Sequence, residues 1–473
     1  MRPLDNRNRI ALDDDRVGRL LVKLAIPAFF GMFVMTLYNV VDTIFIGRYV
    51  GPLGIAGLSI VFPLQMLSMG IGHMTGMGGA SLISRLIGAD NISRAEHALG
   101  NAVTATIISS AVIVAAGLSN VDFWLRLIGA SETILPYARD YFTIILFGIL
   151  FQTLAMSLNF LIRAEGNFHV PMTGMIIGAV LNIILDAIFI IPLDMGIKGA
   201  ALATVIAQLI SVAYFARYYL TGKSFLKIHP QNLILKFDIL KGILAIGIAS
   251  FTMTLAGSLS AVVVNRTLIG YGGDLAVSTY GIINRIAMFA LMPGMVFGQG
   301  LQPILGFNYG AKRYDRALKA IRYAITVSTA CSVTSFLFLY FVPEIFIRIF
   351  TTDSELIALG SYAAKRIWLA LYLIGFMMVG SMVFQSLGKP VQSFVTAVAR
   401  PALFLLPAIL ILPRFWHLDG VWLAFPITDG LTFILVLTLF IPQIRELRKA
   451  KEQAESGRQP AATQVRKQPD NDR

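Results

Sequence analysis

The sequence predicts an all-α membrane protein, with twelve transmembrane helices arranged as two pseudo-symmetric lobes of six. Three observations lead there: composition, the length of the apolar runs, and an internal repeat. Of 473 residues, 56% are hydrophobic and only 14% are charged, and the mean hydropathy is +0.73. Soluble domains are about 45–50% apolar and about 25% charged, so this chain is too apolar and too poor in charge to be one. Its hydrophobicity excludes disorder, and the absence of a glycine period excludes collagen. The single cysteine, Cys331, excludes an intrachain disulfide.

The runs are helical rather than barrel strands. Barrel strands alternate over segments of about 10 residues, whereas Ala102–Leu118 and Val327–Phe341 are long and unalternated. A spanning helix needs about 20 apolar residues. Spans of that kind are expected at 18–46, 53–84, 95–118, 136–162, 170–191 and 197–218, and again at 240–268, 275–307, 317–341, 356–386, 391–412 and 420–444. Residues 1–17 form a polar N-terminal segment. Its sequence, MRPLDNRNRIALDDDR, has no apolar core, so no cleavable signal peptide is expected. Residues 219–239 form a linker between the lobes at 18–218 and 240–444. The polar tail, 445–473, is expected to be disordered.

Basic residues punctuate these spans unequally. Six lie in the N-terminal segment and the entry to the first span, from Arg2 to Lys23. Fourteen lie in the even-numbered loops, among them Arg85, Arg94, Arg163, Arg217, Lys227, Lys312 and Lys389. Eight more lie in the tail. The other side has nine, among them Arg48, Arg126, Lys198 and Arg348, while Arg285 and Arg400 fall inside helices. Lys and Arg concentrate in cytoplasmic loops, which puts both termini and the linker in the cytoplasm. The net charge of +13 is thus dispersed at helix ends, and no nucleic-acid partner is expected.

The repeat appears on shifting the sequence by 222 residues. Nine of 29 positions of Gly76–Thr104 then match Gly298–Thr326, among them Gly76/Gly298, Gly88/Gly310, Ala89/Ala311 and Arg94/Arg316. Gly166 pairs with Gly388 at the same shift, and Pro192/Pro413 and Gly199/Gly420 pair at a shift of 221. Six spans per half start both halves on the same side of the membrane, so the relating axis runs along the membrane normal. Such folds hold a central cavity between two bundles and alternate its access.

Several chemistries are unsupported. The histidines (His73, His97, His169, His229 and His417) form no H-E-x-x-H pair. RYYLTGKS at Arg217–Ser224 ends in Gly-Lys-Ser, but a P-loop needs glycine where Arg217 stands and a strand before it. GMGGAS at Gly76–Ser81 lacks a soluble βαβ context and reads as close helix packing. No catalytic constellation emerges, so no enzyme and no cofactor are expected. With no nucleotide site, the energy source would be an ion gradient.

Charges within a bilayer are costly, and each is a functional hypothesis. Asp42 lies in the first span. Asn182 and Asp186 lie in the fifth, where their i,i+4 spacing puts amide and carboxylate on one face. Thr204 lies in the sixth, and Pro27 removes a backbone hydrogen bond in the first and invites a bend. Any one of these could be a packing residue. Two buried carboxylates with amide and hydroxyl oxygens suit a small hard cation, and equally a proton held on one raised carboxylate. The second half keeps neither acid: Asn182 falls opposite Leu403, Asp186 opposite Pro407 and Thr204 opposite Phe425, while Asp42 falls opposite Val264 or Asn265. The second half holds instead Arg285, Arg400 and Asp429, with Asn284 and Gln302 nearby, either as pocket or gate residues or as groups paired internally.

The segments YNVVDTIFIG, RAEGN, LNIILDAIF with GIKGAALAT, and GQGLQPILGFNYGAKR resemble the multidrug and toxic compound extrusion (MATE) family over about residues 15–445. The resemblance implies a V-shaped antiporter that exports organic cations and other amphipathic drugs in exchange for sodium ions or protons. It places Asp42, Asn182, Asp186 and Thr204 at the N-lobe cation site of prokaryotic members, where they would ligate sodium if that is the coupling ion, and it puts Tyr38 and Asn159 against drug. One branch also uses acids in helices 7 and 10. The stretch Lys241–Ile269 has none and helix 10 has none beyond Glu355, so the chain looks closer to the DinF-like and related branches. The implied setting is a monomer in the inner membrane of a prokaryote. A flippase for lipid-linked precursors is the alternative; it would call for a strongly basic cavity.

Overall fold

The computed structural model describes residue 12 and residues 16–456. Every described regular element is helical. The first lobe contains α1 (Val17–Tyr49), α2 (Pro52–Gly88), α3 (Ile92–Ser119), α4 (Leu135–Ala164), α5 (His169–Ile190) and α6 (Gly196–Leu220). The second begins with a rod, Phe237–Gly310, that breaks at Gly273 (φ 62) into α7 (237–272) and α8 (274–310). That positive φ is a backbone state open to glycine at little cost, and it makes the turn between two membrane helices. Then follow α9 (Tyr314–Phe341), α10 (Ser354–Leu387) and α11 (Pro390–Ile411). The last rod, Pro413–Ser456, breaks at Trp416 and His417, leaving α12 (418–456).

Polar caps and prolines start these helices where the apolar runs begin. Pro52 and Pro390 sit in the first turns of α2 and α11, where a missing N–H costs nothing. The Asn91 side chain accepts from Arg94 N at 3.2 Å to start α3, and Asp353 accepts from Glu355 N at 2.8 Å to start α10. The repeat is visible in the backbone as well. Asp90 (φ 59) and Lys312 (φ 56), and likewise Gly166 (φ 84) and Gly388 (φ 71), are left-handed at positions 222 apart.

One element departs from expectation, and two add to it. The tail is not disordered from Arg445: α12 continues to Ser456, because RELRKAKEQAE is rich in strong helix formers and Lys451 pairs with Glu455 one turn on. The linker is docked on the first lobe. Its 3-10 turn, Pro230–Leu233, lies on α3, where Asn101 Nδ2 donates to Ile234 O at 2.9 Å and Thr104 Oγ1 donates to Leu233 O at 2.8 Å. Two short helices, Val121–Ile128 and Pro343–Arg348, precede α4 and α10. The expectations for residues 1–11, 13–15 and 457–473 lie outside the described residues.

The lobes meet along the halves of α1, α2, α7 and α8 nearer the chain termini. Gln302 Nε2 donates to Met77 O at 3.3 Å, Ser81 Oγ donates to Gln385 O, and Arg163 donates to Gln299 Oε1. Phe33 of α1 meets Phe289 of α8 edge-on at 6.3 Å. Small residues bring the helices close: a Cβ on Gly78 would collide with Ile243 O, and one on Gly247 with Met74 O. A large apolar core, from Leu21 and Ile83 to Leu301 and Phe384, spans this contact. The V therefore opens on the opposite side.

Candidate functional site

The N-lobe acids lie on the open side of that contact. Asp42 sits beyond the middle of α1, and Asp186 lies one turn from the end of α5. Asn182 and Asp186 are both buried, at 2% and 0% exposure, on the face of α5 that packs toward α1 and α6. Asn182 Nδ2 donates to Thr204 Oγ1 of α6 at 3.4 Å. Asp186 interacts electrostatically with Asp42 across the gap between α5 and α1. The four residues expected from sequence are thus brought together at the meeting of α1, α5 and α6. Pro27 lies two turns inside α1, which runs through it unbroken; the ring deprives the carbonyl of Lys23 of its helical partner.

The oxygens of this cluster are unpaired. Asp42 Oδ1, Asn182 Oδ1 and both carboxylate oxygens of Asp186 are buried without a hydrogen-bond partner. A buried polar atom left unpaired costs about 1–3 kcal/mol, and more when charged. Four in one place are expensive unless something else engages them. Acceptor oxygens gathered around two carboxylates fit a hard monovalent cation or a proton. They do not fit a soft metal, which prefers thiolate or imidazole, and among the described residues no three His, Cys, Asp or Glu converge.

Two neighbours escaped the sequence reading. Tyr141 of α4 is buried at 2% exposure and lies within the field of Asp42, Asp186 and Tyr38. Gln65 of α2 donates to its hydroxyl at 3.5 Å. Neither carries a formal charge, so the search for intramembrane charges passed over both; polar atoms inside apolar runs were the available signal. Tyr38 is half-buried one turn before Asp42, and Asn159 is buried in α4.

The C-lobe residues divide. Arg400 and Asp429 form an ion pair, Nε to Oδ1 at 2.6 Å. Asn284 and Arg285 are exposed on α8. Gln302 is buried and faces the N-lobe backbone at Met77, so it belongs to the contact between the lobes.

Among the described residues, twelve membrane helices in two lobes, with buried ionisable groups between helices of one lobe, define a polytopic transporter. The MatE family model matches residues 27–188 and 245–409. The chain belongs to the MATE family, whose members are multidrug efflux transporters. Its relatives include the multidrug export protein MepA of Staphylococcus aureus (strain MSSA476), 25% identical over 428 residues that cover 89% of this chain and 93% of the relative. MepA of Staphylococcus haemolyticus (strain JCSC1435) is 26% identical, over 91% and 94%. Among solved structures, the MATE multidrug transporter DinF-BH is 41% identical, with a TM-score of 0.84 over 90% of this chain and 97% of that one. An outward-facing multidrug resistance MATE transporter is 26% identical, with a TM-score of 0.87 over 93% and 98%. The expected family, V-shaped fold and kinship to DinF-like proteins are therefore correct.

Proposed function

We propose that this chain is an ion-coupled antiporter that exports amphipathic, often cationic compounds by alternating access, acting as a monomer in a cytoplasmic membrane with both termini inside. The observation that carries the reading is the set of four unpaired buried oxygens on Asp42, Asn182 and Asp186. Two carboxylates in a desolvated bundle should not both stay bare, and a sodium ion or proton supplies what they lack. With the lobes closed at the terminal side, the site lies toward the open side, where an external ion would enter.

Each unit charge falling through about 100 mV yields about 2.3 kcal/mol. That energy drives export only if ion occupancy favours the conformation that has released drug, because a ligand shifts a population by its differential affinity alone. Pro27 gives α1 a place to bend as the site fills. Tyr38 and Asn159 supply polar contacts in the cleft, and the 32 Phe and 18 Met of the chain offer aromatic faces for cations and adaptable apolar surface.

The test is efflux from proteoliposomes under an imposed sodium or pH gradient, with ethidium, a fluorescent organic cation, as the first probe. Asp42→Asn and Asp186→Asn should each abolish coupled efflux while the protein inserts normally, and Thr204→Ala should weaken sodium dependence more than proton dependence. Wild-type rates from inserted Asp42→Asn protein under both gradients would show the site to be wrong. A cysteine at Lys227 that reacts with an impermeant reagent from outside intact cells would reverse the topology.

A further inference from the structure

The repeat allows the C-lobe to be inspected at the place where the N-lobe gathers its acids. The counterparts of α1, α5 and α6 are α7, α11 and α12. At a shift of 221, Arg400 stands opposite Ala179 and Asp429 opposite Gln208. Ala179 is one turn from Asn182 on α5, and Gln208 is one turn from Thr204 on α6, both toward the terminal side. The third helix meets them at the same level: Ser260 of α7, opposite Tyr38 at a shift of 222, donates to Pro401 O at 2.6 Å. The C-lobe thus has its own three-helix junction, nearer the terminal side than the N-lobe acids: Ser260 is one turn below the level of Asp42, and Arg400 two turns below that of Asp186.

That junction is built around a charge pair. Arg400 lies in a π-helical stretch, Ala399–Leu405, which inserts a residue into α11 and re-aims the side chains of that turn; such bulges recur at functional sites. Arg400 Nε donates to Asp429 Oδ1 at 2.6 Å, and the Asp429 side chain is 3% exposed. Among the described residues, the titratable groups whose field reaches Arg400 are Asp429 and, from α8, Tyr280, whose ring stacks on Phe425. No second carboxylate is there to hold a mobile ion beside the guanidinium. The contrast is direct: the N-lobe junction leaves its carboxylate oxygens unpaired, and the C-lobe junction supplies a covalently tethered cation to its one carboxylate.

We propose that the Arg400 guanidinium is a resident counter-ion at the C-lobe's equivalent three-helix junction, one to two turns below the level at which the N-lobe takes its mobile ion, so that Asp429 is a latent proton site unmasked only when Arg400 is removed. The comparison with a mobile ion rests on the function proposed above; the state of Asp429 does not. The consequence is that the ion exchanged per cycle is set by the N-lobe alone, with the Arg400–Asp429 junction contributing no exchangeable ion. Asp429 is the buried partner, whereas the Arg400 side chain is 43% exposed; removing the cation beside a buried carboxylate leaves an uncompensated charge, and a carboxylate in that position takes up a proton.

The experiment is infrared difference spectroscopy of the full chain in lipid and sodium-free buffer, reading the carbonyl stretch of protonated carboxyl groups between alkaline and mildly acidic pH. Arg400→Gln should gain a band on acidification that Arg400→Gln/Asp429→Asn lacks. In the wild type, Asp429→Asn should remove no such band. A folded Arg400→Gln protein without the new band would overturn the proposal, and so would a wild-type band that disappears in Asp429→Asn. Should Arg400→Gln fail to fold, the wild-type comparison decides alone. Asp186→Asn, run in parallel, reports on the N-lobe site through its own band, so failure of the two readings is distinguishable.

Discussion

Gly306 packs on the side chain of Ser84 across the boundary between the lobes, and the two residues are counterparts in the repeat. A Cβ on Gly306 would collide with Ser84 Oγ, so the pseudo-twofold axis passes between α2 and α8 at this level. The flanking contacts obey the same operation. A Cβ on Gly88 would strike the carbonyl oxygen of Phe307, and one on Gly310 would strike that of Arg85; each residue of one pair is 222 positions from its equivalent in the other. The closed side of the V is held backbone to backbone, an approach that small residues permit in membrane helices.

A reversible lock follows from the axial pair. In a Cys331→Ser background, Ser84→Cys with Gly306→Cys should form a disulfide, because the positions are in contact. Under the alternating access proposed above, the lobes part here for the cavity to face the other way, so the cross-linked protein should export nothing and regain activity on reduction. Undiminished efflux from fully cross-linked protein would show that they need not part.

The symmetry makes a second prediction. Gly88→Ala and Gly310→Ala should both disfavour the closed contact, and by similar amounts, because each added methyl meets a carbonyl oxygen of the opposite lobe. Overpacking costs about 1–3 kcal/mol, a shift of roughly 5- to 150-fold in the population of the closed form. Spin-label distances across the lobes read that population directly. A strong effect from one variant and none from the other would mean that the contact is not symmetric.

How much of this was available from sequence depends on the kind of signal. Helix spans were, to within a few residues apart from the longer α12, because bilayer thickness imposes a length that apolar runs must meet. Asp42 and Asp186 stood out because an ionisable group in such a run has few structural excuses, and Asn182 and Thr204 followed as polar side chains near them, Asn182 by its i,i+4 spacing to Asp186. Internal pairing of the C-lobe charges was an open alternative, but which of Arg285 and Arg400 takes Asp429 was not readable, since the π-helical turn that contains Arg400 leaves no mark on hydropathy. The helical extension to Ser456 was missed because low hydrophobicity speaks of solvent, and propensity alone can keep a solvated helix. Tyr141 was missed because a hydroxyl in an apolar helix is common and acquires meaning only from its neighbours.

Tyr141→Phe tests that last residue. The change keeps the ring and its packing while removing the hydroxyl that lies near Asp42 and Asp186 and accepts from Gln65. A neutral hydrogen-bonding group is worth about 0.5–1.5 kcal/mol, so the concentration of driving ion needed for half-maximal efflux should rise by roughly 2- to 10-fold with maximal efflux retained. An unchanged ion dependence would place Tyr141 outside the site.

Glu165 carries the pH prediction. It caps α4 on the terminal side and is buried at 2% exposure. Its Oε2 accepts from Ser224 Oγ at 2.7 Å, from Phe225 N at 3.2 Å and from Tyr218 Oη at 3.2 Å, so it fastens the start of the linker to the lobe. Burial pushes its carboxyl up from 4.5 to about 7. The folded protein therefore holds a proton through that interval which the unfolded chain has released, and stability falls as pH rises across it. Above pH 7 the folded state bears the full cost of an ionised buried carboxylate, on the order of 3 kcal/mol. Glu165→Gln keeps an acceptor for the same three donors and cannot ionise. Its melting midpoint should equal that of the wild type in acid, exceed it increasingly through the neutral range, and level off at alkaline pH. A wild-type melting midpoint that rises with pH relative to the variant would mean that Glu165 is held as a stabilised carboxylate and that the linker is fastened by charge.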